Sequence, residues 1–333
     1  MRGVNLGGWL VLEKWMTPSL FKGTSAKNEY ELSNLKKGRE RIKKHHETFI
    51  TEADIAWLTA QRVELLRVPV GYWLFGEAKP YVDTIARLEW LVEMAGKYNL
   101  KVLIDLHAAP EAQNSQAHSG SGNQKKGKAW LKNKQAKQQT IDSLVRIAEH
   151  FKDSPQVWGI ELLNEPRRDF SALRLIHFYR AAYKALMKVA RPGTYIVFSD
   201  AFSPHLLTNT FAFMKHKDFP VVLDTHLYYC FGKRSRRRAI EKQLHLVGYS
   251  NWLLRFLRLM QPVMVGEWSA MLPYAAKPET SKKFALAQTA AYEPAIATCY
   301  WSYKTEKPGR WNYRWMVENR LIDELQKDEP KAS

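Results

Sequence analysis

The sequence predicts an α/β protein folded as a single (β/α)8 TIM barrel across residues 1–333, and two observations carry that expectation. Short runs rich in Val, Ile, Leu and aromatic residues recur eight times, almost continuously apolar, as strands covered on both faces of a parallel sheet must be. Stretches of helical periodicity separate most of them, and no linker or low-complexity segment is long enough to divide the chain. The length of 333 residues suits one large barrel, an architecture that runs to about 250 residues or more.

"GVNLGGWL" opens the series, followed by "LLRVPV" and "KVLIDLH", with the amphipathic stretch Thr84 to Tyr98 between the last two. "VWGIELLN" and "YIVFSD" are the fourth and fifth runs, separated by helical spacing from Leu173 to Ala190. "VVLDTHLY", "VMVGEWS" and "ATCYWSYK" complete the set, with a helix expected over Ser281 to Tyr292 before the last. The main irregular segment, Ala109 to Lys134, follows the third run and is rich in Gly, Ser, Asn, Gln and Lys. On a barrel such a loop lies on the C-terminal face of the strands and shapes a cleft.

Composition narrows the function classes. With 45% hydrophobic and 25% charged residues, and no apolar run near the roughly 18 residues of a membrane helix, no membrane span is expected. The opening "MRGVNLGGWLVLEKW" has no h-region or small-residue cleavage site and is interrupted by Glu13. It reads as mature structure. Cys230 and Cys299 offer neither a disulfide framework nor zinc spacing. A cytoplasmic location is therefore expected, or a secreted or periplasmic one if an export signal has been removed. The net charge of +18 concentrates in Gln124–Lys137 and Gly232–Arg238, which read as solvated basic loops, with affinity for anionic glycans or a cell surface as a milder alternative. Nothing resembles a zinc finger, an RNP motif or a helix-turn-helix, so no nucleic-acid partner is expected.

Active sites of this fold sit where the strands end. The residues that close the strands are Arg67, His107, Asn164 and Glu165, His226 and Tyr228, Glu267, and Trp301. Each has an ordinary structural explanation alone: a core histidine, an ion-pair partner, barrel filling, a solvated loop glutamate. Together they put two carboxylates among hydrogen-bond donors on one rim, which glycosidic bond cleavage requires. One carboxyl protonates the leaving oxygen and the other attacks or stabilises the oxocarbenium-like centre. Residues from the fourth and seventh strands can reach inward to the roughly 5–5.5 Å separation of a retaining enzyme. Glu165 is accordingly expected to be the acid/base and Glu267 the nucleophile. Arg67 and Tyr228 would hold Glu267 ionised, His226 would keep Glu165 protonated until needed, and Asn164 would bind the sugar 2-hydroxyl. Trp301 offers a flat face to a pyranose and His107 a hydroxyl contact.

In order along the chain, "RGVNLGGWLVLEKWMTPSLF", "LLRVPVGYW", "DLHAAPEAQN", "GIELLNEP", "DTHLYYCF", "VGEWSA" and "YWSYKTE" resemble glycoside hydrolase family 5, within it the exo-1,3-β-glucanase branch. The resemblance runs from Arg2 to beyond Glu306. It implies a retaining hydrolase without metal or other cofactor, with Glu165 matching the acid/base and Glu267 the nucleophile. Arg67, His107, Asn164, His226, Tyr228 and Trp301 match the other signature positions. It further implies that Glu13, otherwise a surface or barrel-bottom charge, binds hydroxyls of the non-reducing-end glucose, and that Phe231 is one side of an aromatic clamp.

The chain also departs from that pattern. Fungal members usually carry QNGFDNSG after the third strand, whereas this chain has "QNSQAHSG", so that Gln116 replaces an aromatic residue, Ala117 an acidic one and His118 an Asn. The segment after "VGEWSA" is short as well. The first removes one side of the aromatic clamp and leaves linkage and exo or endo mode open. The second points to a more open cleft and to short β-glucosides or gluco-oligosaccharides as substrates. β-1,4- or β-1,6-glucanase, glucosylceramidase-like and transglycosylase activities share the same site logic, and a non-catalytic glycan-binding barrel is the alternative from another class.

Overall fold

Eight parallel strands close into a barrel in sequence order, with β1 (Arg2–Asn5) pairing both β2 (Leu65–Gly71) and β8 (Thr298–Tyr300). Between them run β3 (Lys101–Ala108), β4 (Val157–Glu161), β5 (Tyr195–Ser199), β6 (Val221–Leu227) and β7 (Val263–Trp268). The computed structural model describes residues 1–119, 127–170, 172–204, 207, 214, 216–231 and 239–322. The basic stretch Gly232–Arg238, and the part of the other one that includes Lys125, lie outside the described residues.

The expected helices form over Ile85–Lys97, Leu173–Leu186 and Pro278–Ala291. Three further long ones cover Lys36–Thr48, Lys134–His150 and Ile240–Arg258. Asn133 fixes the start of the second of these, its side chain accepting a hydrogen bond from the Ala136 amide. Several apolar runs outlast their strands: β8 stops at Tyr300, one residue before Trp301, and β4 at Glu161, three before Asn164. These tails stay apolar because they turn over the barrel mouth, where Leu162, Leu163 and Trp301 remain buried.

The barrel interior is layered by the alternation of side chains along each strand. Leu65, Leu103, Val197, Val222, Met264 and Cys299 form an apolar plug toward the strand starts. Two residues further along the same strands the interior holds Arg67, Asp105 and Asp224, joined by Asn5 and Glu161, all fully buried. The polar residues that close the strands stand directly on this charged layer.

Candidate active site

Arg67 is the hub of the charged layer. Its Nε donates to Glu161 Oε2 at 2.8 Å, Nη1 to Asn5 Oδ1 at 2.8 Å and Glu267 Oε1 at 3.0 Å, and Nη2 to Asn164 Oδ1 at 3.0 Å. The same Nη2 lies 3.1 Å from Asp105 Oδ2. Burial pushes the carboxyls of Asp105 and Glu161 up to about 7 and about 8, against the pull of Arg67. One guanidinium therefore faces carboxyls that share protons, and not a full set of negative charges.

A local irregularity in β7 turns Glu267 into the cavity. Strict alternation from the inward Met264 would aim Glu267 outward, but the pairing register with β6 shifts between Thr225 and His226. Trp268 then packs outward against Tyr292 and Tyr300. Gly266 is required at this shift: its amide donates to Asp224 Oδ1 at 2.6 Å, and a Cβ there would lie 1.9 Å from Asp224 Oδ2. Tyr228 donates to Glu267 Oε2 at 2.8 Å, so Arg67 and Tyr228 each hold one oxygen of the same carboxyl. Burial nevertheless raises that carboxyl to about 7, and the pair does not keep it as readily ionised as the sequence predicts.

Glu165 stands after β4 with φ +41°, a left-handed conformation that is costly for a residue with a side chain. The flanking backbone is tied down, with Asn164 N donating to Leu106 O at 3.0 Å and Gln113 Nε2 to Asn164 O at 3.0 Å. Opposite, His226 Nδ1 lies 2.7 Å from Glu165 Oε1 and 3.5 Å from Glu267 Oε2, while Nε2 is 3.3 Å from Asp224 Oδ2. One oxygen of Glu165, one ring nitrogen of His226 and one oxygen of Glu267 all fall within 4.8 Å of one another. That closeness suits the retaining spacing of roughly 5–5.5 Å and not the inverting gap of roughly 6.5–9.5 Å.

The protonation pattern of the site differs from the sequence expectation. Burial would strip the proton from His226, but Glu267, Asp224 and Glu165 outweigh it and hold the ring protonated well above its usual range. Burial likewise opposes ionisation of Glu165, yet His226 and then His118 bring its carboxyl down to about 2. Burial lifts Glu267 to about 7 against His226 and Arg67. His226 thus takes the proton that was expected on Glu165, because it sits among three carboxyls and not beside one. Moving that proton across the 2.7 Å contact from Nδ1 to Oε1 gives a protonated Glu165 with no net uptake from solvent.

The cleft above the pair encloses about 740 Å³ and is lined by Glu13, His107, Glu165, Tyr228, Glu267 and Trp301, with Phe231 at its edge. Glu13 is nearly buried: Oε2 accepts from Trp15 Nε1 at 2.8 Å, while the buried Oε1 has no partner among the described residues. Burial resists its ionisation, but His118, His107 and Trp15 together hold its carboxyl below the usual range. His107 stacks on Trp301 with centroids 5.6 Å apart and sets Nδ1 2.6 Å from Asp105. Burial, aided by His118 and Arg67, keeps the ring neutral, and its Nε2 faces Asn164 Nδ2 at 3.4 Å. Asn164 is fully buried behind Glu165, between Arg67 and His107.

Sequence reasoning missed Trp15, Trp311 and Phe202 as cleft walls and treated His118 only as a departure. Trp311 packs against Trp15, Tyr228 and Phe231, so the rim aromatics form one cluster. Asp105, Glu161 and Asp224 were missed too. Asp105 and Asp224 carried a readable signal, since each stands two residues before a site histidine, on the same strand face. The donor sets Glu13–His107–His118, Glu161–Asp224–His226 and Glu165–His226–Glu267 are each close enough to ligate a cation. In the latter two, Arg67 and His226 already supply the positive charge around which the carboxyls gather.

A TIM barrel with two carboxyls at this spacing on its C-terminal face has the arrangement that retaining glycoside hydrolases use. The sequence model of Cellulase (glycosyl hydrolase family 5) matches residues 25–307. A glucan 1,3-beta-glucosidase of Kluyveromyces lactis is 30% identical over 97% of this chain and 88% of its own length. A probable glucan 1,3-beta-glucosidase A of Emericella nidulans is 30% identical over 97% and 89%. Among solved structures, rutinosidase from Aspergillus niger superposes with a TM-score of 0.82 at 21% identity, covering 97% of both chains, which speaks for the fold. The chain belongs to glycosyl hydrolase family 5.

Proposed function

We propose that the protein cleaves β-linked glucosides or gluco-oligosaccharides by double displacement, with Glu267 as nucleophile and Glu165 as acid/base. The observation that carries this reading is the meeting of Glu165, His226 and Glu267 within 4.8 Å at the floor of the cleft. Glu267 attacks the anomeric carbon and its bond to the leaving oxygen breaks, while the proton on Glu165 passes to that oxygen. Water then adds to the same carbon, gives a proton to Glu165 and releases Glu267.

The neighbours fit this cycle. Esterification removes the charge of Glu267, so His226 loses one of the carboxylates that hold its proton, which favours Glu165 as a base for the attacking water. The Oε1 of Glu13, buried without a partner among the described residues, suits a sugar hydroxyl, and His107 lines the same cleft. The relatives named glucan 1,3-beta-glucosidase support β-1,3-glucosides as the first substrates to try.

Turnover of 4-nitrophenyl β-glucoside and of a β-1,3-linked glucobiose by wild type, Glu165→Gln and Glu267→Gln tests the roles. Glu267→Gln is expected to lose about 10³-fold or more on both. Glu165→Gln should lose far less on the nitrophenyl substrate, whose leaving group needs little protonation. Equal losses on the two substrates by Glu165→Gln would remove its assignment as the acid, and wild type no faster than either variant would sink the enzyme reading.

A further inference from the structure

The cleft does not end at Glu165. A second lobe of about 1030 Å³ opens beyond it, sharing Gln116, Glu165 and Phe202 with the catalytic lobe. A general acid must reach the glycosidic oxygen, so the leaving group lies on its outer side. The lobe without Glu13, Glu267 and Trp301 is therefore the leaving-group side.

Its lining is basic, with Lys132, Arg167, Arg168 and Arg174 set against Asp169 and Glu165. Arg174 neutralises Asp169 at 2.9 Å. The remaining arginines are held by neutral groups: Arg167 Nε donates to Asn114 O at 3.1 Å and Arg168 Nε to Ser203 Oγ at 2.7 Å. These bonds orient the guanidinium groups without cancelling their charge. Lys132, Arg167 and Arg168 make no ion pair among the described residues. On the same lobe Phe170 and Phe202 are 98% and 63% exposed, offering flat apolar faces beside the cations. A neutral leaving group gains nothing from such a concentration of positive charge, whereas an arginine fork matches the oxygens of phosphate or carboxylate.

We propose that this lobe binds an anionic leaving group, so that the enzyme prefers β-glucosides whose aglycone carries a phosphate or carboxylate beside a ring that stacks on Phe170 or Phe202. The proposal rests on the assignment of Glu165 as the acid, which orients the two lobes.

The test compares kcat/KM for 4-nitrophenyl β-glucoside and its 3-carboxy derivative in wild type, in Arg168→Gln/Lys132→Gln and in Arg168→Lys. The carboxylated substrate is expected to be favoured about tenfold at about 20 mM salt, with the preference shrinking toward one at about 0.5 M. The double variant should cut the preference about tenfold, and Arg168→Lys, which keeps the charge but not the fork, should retain only part of it. A ratio indifferent to salt and to both variants overturns the proposal. Calorimetric titration with phenyl phosphate and with benzoate reads the lobe without turnover and separates the two anions. If wild type turns over neither glucoside faster than Glu267→Gln, the catalytic reading fails. Anion binding lost in the double variant then still upholds the site, and no binding of either anion in wild type removes it.

Discussion

Two layers of the barrel interior, two residues apart on the same strands, are built from opposite chemistry. Leu65, Leu103, Val222 and Met264 exclude water and hold the strands together, whereas Arg67, Asp105, Asp224 and their neighbours place several ionisable groups where water cannot reach. The lower layer stabilises by apolar burial. The upper costs desolvation and is held by mutual pairing around Arg67. Identical backbone geometry thus carries apolar packing below and a network of ionisable groups above.

Breaking the upper layer should have the larger effect. Arg67→Met leaves Asp105, Glu161 and Glu267 without their shared cation, and is expected to cost about 3–5 kcal/mol in denaturant unfolding. It should also abolish turnover in the protein that remains folded. Leu103→Ala in the lower layer is expected to cost about 2–5 kcal/mol while kcat/KM per folded molecule stays within a few-fold. A large loss of kcat with wild-type stability in Leu103→Ala would show the layers to be coupled.

A smaller effect sharpens the contrast from outside the barrel. Glu29 is fully buried, accepts from the Leu12 amide at 2.7 Å, and burial pushes its carboxyl up to about 8. Between the usual 4.5 and about 8 the folded chain holds a proton that the unfolded chain has released, so stability falls as pH rises through that window. Thermal melts at about pH 5 and about pH 9 should show Tm dropping in wild type. In Glu29→Gln, which keeps an acceptor for Leu12, the drop should be smaller.

The strands and their closing residues were legible because sequence records what is covered and where covering stops. Glu165 and Glu267 stood out as polar ends of apolar runs, and the clamp of Arg67 and Tyr228 on Glu267 followed from which strands carry them. Glu161 was hidden as the one charge inside its run. Trp15, Trp311 and Phe202 sit in loops, where no periodicity ties a residue to the cleft. The place of the proton could not be read, since it depends on His226 lying within 3.5 Å of Glu165 and Glu267, brought by two other strand ends, as well as of Asp224 on its own strand.

The left-handed backbone at Glu165 gives the site an unequal fragility. A conformation of this kind stores about 1–3 kcal/mol that the surroundings must hold in place, here through Gln113 and the end of β3. Loosening those few bonds would let the peptide relax and move the Glu165 carboxyl away from His226 while the barrel still stands. Warmth would silence this enzyme before it melts it.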